Sequence, residues 1–110
     1  MVIVQIVRSP DGKITGFKVE GHAGYANRGE DIVCSAISAI TVGTVNAVEV
    51  LTGAVMKTRM KNGFLSGTLP PFKSNEPKAQ AELILESMVV MLETIVTSYS
   101  EYIRIDKVTK

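Results

Sequence analysis

A chain of 110 residues, 45% hydrophobic and 21% charged, has the material for one core, which excludes a disordered protein. Twelve basic and eleven acidic residues leave a net charge of +1, which excludes the electrostatic footprint of a dedicated nucleic-acid binder. The single cysteine excludes an internal disulfide, and the opening MVIVQIVRSPDG lacks the basic start of a signal peptide, so a cytoplasmic address is expected.

In chain order, Val2–Arg8 is rich in β-branched residues and SPDGK (9–13) is a turn signal. Ile14–Glu20 alternates, with Phe17 and Val19 to one side and Lys18 and Glu20 to the other, so the two runs read as a β-hairpin. Gly21 and His22 fall where its second strand ends. Glu30 and Asp31 precede a long apolar run closed by Gly53. Asp31 is a favoured cap and Gly53 suits a left-handed exit, predicting a helix over about 32–51. Its apolar residues surround most of the circumference, so cover on more than one side is expected. Residues 32–48 carry no charge, but they are short for a bilayer and include Ser35, Ser38, Thr41, Thr44 and Asn46. A core helix is expected here, and no membrane span.

The runs AVMKTRM and FLSGTL flank Lys61-Asn62-Gly63, and Asn-Gly predicts a second hairpin. PPFKSNEP (70–77) is expected to be irregular and the longest loop, with Asn75 capping a second helix that holds Pro77 in its first turn. Ala81, Ile84, Leu85, Met88, Met91, Leu92, Ile95 and Tyr99 follow at helical spacing. EYIRIDKV (101–108) reads as a last strand. The order ββαββαβ, with no repeat and no interior linker, predicts a single α+β domain over 1–110: two helices packed on a mostly antiparallel sheet.

The segment GHAGYANRGEDIVC (21–34) holds the only histidine and the only cysteine of the chain. Cys34 would be the third residue of the first helix, where unpaired N–H groups and the helix dipole favour a thiolate. His22 could fold back to take the thiol proton and later protonate a leaving amine, the two roles that acyl transfer by cysteine needs. Asp31 and Ser38 share the helix face of Cys34. Asp31 reads either as the cap or as a group orienting the loop or His22. Ser38 reads either as a hydroxyl bonded back to a carbonyl or as a support for the sulfur or the imidazole. Gly24, Asn27 and Gly29 make the intervening loop flexible, and Tyr25 is its only large side chain, so a mobile lid is expected. One His, one Cys and scattered acids form no metal set, and no phosphate-binding motif or redox C-x-x-C is present, so neither metal nor cofactor is expected. Met56, Met60, Met88 and Met91 would offer an adaptable apolar surface where exposed, and core packing otherwise.

GHAGYANRGEDIVCSAISAI (21–40) resembles the signature of the ribosomal-processing cysteine proteases called Prp: Gly-His-Ala, a Gly-rich loop, then Asp-x-x-Cys-x-Ala-x-Ser. Length and element order extend the resemblance to essentially the whole chain. It implies a cytoplasmic, homodimeric endopeptidase that removes the N-terminal extension of a large-subunit ribosomal protein, cutting by a hydrophobic, aromatic-bearing motif. Carried over, Cys34 is the nucleophile, His22 its base, and Asp31, Ser38 and Gly21 match supporting positions. A peptide substrate and a second copy are then the partners, with no direct nucleic-acid contact. Two rival readings stay open: a non-catalytic ribosome-associated binding module in which Cys34 only packs, and a redox sensor with one reactive thiol.

Overall fold

The first turn shows how local chemistry sets the strands. Ser9 and Asp11 hydrogen-bond through their side chains, Asp11 Oδ1 accepts the Lys13 N–H at 2.9 Å, and the Gly12 N–H donates to the Ser9 carbonyl at 2.9 Å. That knot folds strand β1 (Val2–Arg8) back onto β2 (Ile14–Glu20) as an antiparallel pair. The computed structural model describes residues 1–110. After the loop that follows β2 come helix α1 (Ile32–Thr52), the hairpin β3 (Lys57–Lys61) and β4 (Phe64–Thr68), helix α2 (Asn75–Tyr99) and β5 (Ile103–Thr109).

The five strands form one sheet in the order β3-β4-β2-β1-β5. Every pairing is antiparallel except β1 with β5, which is parallel, so the sheet is mixed. A parallel neighbour needs a long crossover, and α2 supplies it. Val33, Ile37 and Val48 of α1 and Ala81, Leu85, Met88 and Leu92 of α2 meet Val2, Val4, Ile6, Phe17, Leu65 and Ile103 of the sheet in one apolar core. The α+β architecture and the order ββαββαβ are those expected.

Four expectations need correction. First, α1 is not covered on more than one side within the chain. Only Val33, Ile37, Thr41, Thr44 and Val48 are buried, while Ile32, Val50 and Leu51 face outward. The helix has α2 on one flank and no further layer beyond it. By length and composition α1 could cross a membrane; here its buried stripe is part of the core. Second, residues 70–77 are not all irregular. The α2 helix starts at Asn75, and Ser74 takes the cap position (φ −142°, ψ 159°) without a side-chain cap bond. Pro77 is tolerated because the first-turn N–H groups have no intrahelical partner. Third, the longest connection is therefore the one between β2 and α1. Fourth, the strand after residue 53 begins only at Lys57, and the last strand starts at Ile103.

Candidate active site

The β2–α1 connection begins at Gly21, whose φ of +97° and surroundings both require glycine. A Cβ there would lie 2.6 Å from the Met1 carbonyl oxygen. The Gly21 N–H donates to the Gly63 carbonyl in the β3–β4 turn at 2.9 Å, and the Met1 nitrogen donates to the His22 carbonyl at 2.8 Å. These bonds hold the end of β2 against the start of β1 and the tip of the second hairpin. His22 is thereby delivered, exposed, to the rim of a cleft.

Cys34, which lines the same cleft, is the third residue of α1, half-buried and free of any disulfide. Its sulfur accepts the Ala23 N–H at 3.2 Å. Asp31 explains why α1 starts where it does. Its Oδ1 accepts the N–H groups of Val33 and Cys34, each at 3.0 Å, capping the helix. Its Oδ2 accepts the N–H groups of Tyr25 and Ala26, at 3.0 and 3.2 Å. The amides of Cys34, Ala26, Tyr25 and Val33 hold the carboxyl below its usual range, against the opposing effect of desolvation. Asp31 is thus both the cap and the tie of the loop, and no bond runs from it to His22.

The loop is anchored at a third point. The Tyr25 ring meets Tyr99 and Tyr102 edge-on, with centroids 5.7 and 5.2 Å apart. The expectation of a loop without rigid packing therefore missed two partners that are far away in sequence. Gly24 and Gly29 have positive φ, and the Asn27 carbonyl closes a turn by accepting the Glu30 N–H at 2.9 Å.

His22 and Cys34 line one cleft of about 580 Å³, together with Gly21, Gly24, Gly29, Asp31 and Ser38. The apolar side chains of its lining include Val19, Ile37, Val42, Met60, Phe64 and Leu65. Of the four methionines singled out, Met60 is 65% exposed in this lining and Met91 is exposed on α2, whereas Met56 and Met88 are core residues. Ser38 is exposed in the cleft, and its hydroxyl is bonded neither to Cys34 nor to His22. No hydrogen bond joins the imidazole to the sulfur, whose one partner is the Ala23 amide. No group of three His, Cys, Asp or Glu side chains converges on a possible metal site. The contributions of Ala23, Gly63, Tyr99 and Tyr102 are absent from the sequence reading; Gly63 carried a signal there, but the hairpin turn fully accounts for it.

A thiol at a helix start and an imidazole facing the same peptide-sized cleft are the equipment of a cysteine hydrolase. The chain belongs to the cysteine protease Prp family, whose model matches residues 1–104. It is 36% identical over 107 residues to the ribosomal processing cysteine protease Prp of Bacillus subtilis (strain 168), covering 96% of each chain. The crystal structure of an essential ribosomal processing protease Prp from S. aureus, in complex with a covalently linked product peptide, is similar with a TM-score of 0.87. That match has 34% identity and covers 97% of this chain and 99% of the other. The S. aureus enzyme in complex with a substrate peptide matches with a TM-score of 0.80 and 33% identity over the same shares of both chains. The protein is therefore a cysteine protease, and the reading of Cys34 as part of a non-catalytic binding module is set aside.

Proposed function

We propose that this protease removes the N-terminal extension of a large-subunit ribosomal protein, with Cys34 as nucleophile and His22 as base and leaving-group acid. Cys34 Sγ attacks the scissile carbonyl carbon as His22 takes the thiol proton. The C–N bond then breaks, and the imidazolium passes that proton to the departing amine. Water, deprotonated by His22, attacks the thioester and releases the new carboxylate, and the proton returns to sulfur. The observation that carries this reading is that the chain's only thiol and only imidazole line one open cleft that also has apolar side chains in its lining.

The names of the relatives, ribosomal processing proteases, support the substrate class, and the peptide-bound S. aureus complexes support a peptide as the ligand. Asp31 acts in support by fixing the Cys34 amide and the loop; Gly21 sets the place of His22, and Ser38 adds a hydroxyl to the cleft. The loop carrying Gly24, Asn27 and Gly29 closes over bound peptide. The working unit is the one domain of residues 1–110, cytoplasmic and paired as a homodimer. Exposed Ile32, Val50 and Leu51 on α1 and Leu83, Val90 and Met91 on α2 support an apolar contact between copies. Peptides spanning the junction of the extension, incubated with the purified protein and followed by mass spectrometry, test the activity. Cleavage at one bond is expected; intact peptides at enzyme concentrations near that of the substrate would refute it. Light scattering tests the pairing, with twice the chain mass expected.

A further inference from the structure

We infer that the β3–β4 turn is a working part of the active site, with Gly63 as the positioning residue for the His22 imidazole. This rests on the reading of His22 as the catalytic base. A base must be held in orientation, and in most cysteine and serine hydrolases a third polar side chain does so by hydrogen bonding. Here no polar side chain is hydrogen-bonded to the ring, and Ser38 and Asn62 only line the same cleft. The Asp31 carboxylate is occupied by four backbone amides, and the imidazole has no hydrogen-bonded partner. Gly63 lies against the ring. A Cβ built on Gly63 would lie 2.7 Å from His22 Nε2, 3.2 Å from Cε1 and 3.4 Å from Cδ2.

The space for one edge of the imidazole is therefore the volume of the missing side chain. The same residue also holds the backbone, since its carbonyl accepts the Gly21 N–H at 2.9 Å. His22 is thus registered on Gly63 twice, through the residue before it and through its own ring. The turn also borders the cleft with Lys61, Asn62 and Phe64, the same cleft that Cys34 lines.

The Asn-Gly turn alone would ask for glycine at this position, because φ is +73°. The two demands separate by their consequences. Strain in the turn costs stability. A methyl group aimed at the far end of a side chain that can swing away costs little stability, but it removes the ring from its place. Displacement of a catalytic group by about 1 Å costs on the order of 100-fold in rate.

The experiment compares Gly63→Ala with Gly12→Ala, which also has positive φ (+87°) but meets nothing within 4 Å, and with His22→Ala. As the sole histidine, His22 gives a single set of ring-proton NMR signals. In the unmodified protein these signals should show nuclear Overhauser contacts to the Gly63 α-protons. Gly63→Ala should lower kcat about 100-fold, leave KM within a few-fold, and move the ring signals. Gly12→Ala should retain kcat while losing similar thermal stability. A chemically synthesised chain with D-alanine at position 63 places the methyl on the other side of Cα at a natural φ, and should recover most of the rate. The inference is overturned if the ring shows no contact to residue 63, a test that stands even if Gly63→Ala does not fold. It is equally overturned if Gly63→Ala turns over like wild type while His22→Ala is inactive, or if L- and D-alanine lose rate alike. Near wild-type turnover by His22→Ala would instead overturn the underlying assignment of the base.

Discussion

Replacing Tyr25 by alanine removes one anchor of the β2–α1 loop and leaves the other two in place. The ring makes two edge-on contacts, with Tyr99 at 5.7 Å and Tyr102 at 5.2 Å. Such pairs contribute roughly 0.5–1.5 kcal/mol each beyond area burial. Tyr25 remains 42% exposed, so the lower part of that range applies, about 1–2 kcal/mol for the two together. At about 1.4 kcal/mol per factor of ten, the undocked form of the loop should become roughly 5- to 30-fold more populated. Hydrogen exchange reads this directly, because the amides of Ala23, Tyr25 and Ala26 are bonded only while the loop is docked as in this peptide-free structure, to Cys34 Sγ and Asp31 Oδ2. Their exchange should accelerate by that factor in Tyr25→Ala and hardly at all in Tyr25→Phe, which retains the ring. The Val33 and Cys34 amides, on the other carboxylate oxygen, serve as the internal reference. Unchanged exchange at residues 23, 25 and 26 would refute the anchoring argument. Equal acceleration at 33 and 34 would show loss of the whole helix start, and would refute it too.

Asp31→Asn should lower kcat/KM by about tenfold or more, since an amide has one acceptor oxygen and its NH₂ would face two backbone donors; steady-state kinetics check this, and a rate within twofold of wild type would count against the dual role. The Asp31 carboxyl lies below its usual range because backbone amides, that of Cys34 first, hydrogen-bond its anion. Its contribution to stability is thus fully present above the unfolded value of about 3.9 and is lost as pH falls through the lower folded one. Thermal melts should accordingly drop more steeply with acidification below about pH 4 in wild type than in Asp31→Asn. Glu86→Gln breaks the two-pronged ion pair with Arg8, at 2.7 and 2.8 Å; with both side chains partly exposed, a loss of about 0.5–1 kcal/mol is expected in denaturant titration, with no change in kcat.

How much of this was legible differs from residue to residue. His22 and Cys34 stand out because each is the only one of its kind, and a strand end and a helix start are local features that the hydrophobic pattern locates well. Asp31 is legible as a cap for the same reason. Its second role is not, because the amides of Tyr25 and Ala26 reach it only after the loop has turned back, a matter of three-dimensional path. Tyr25 lacks visible partners in the sequence, since Tyr99 is at the far end of the second helix and Tyr102 just past it. Gly63 is hidden by a sufficient local explanation, the Asn-Gly turn, which leaves no residual signal for a contact with His22. The open flanks of α1 are illegible for a different reason: apolar spacing tells which side chains avoid water, and the number of neighbouring layers is set by topology.

The most direct test of the account is the mass of the protein during turnover. A junction peptide mixed with wild-type protein and quenched in acid within the first turnovers should yield a fraction of chain heavier by the acyl half of the peptide, with the adduct on Cys34. Cys34→Ala should give no adduct and no cleavage at the same concentration, while its circular dichroism matches that of wild type. Cleavage by Cys34→Ala at a near wild-type rate would contradict the account, as would an adduct at any other residue.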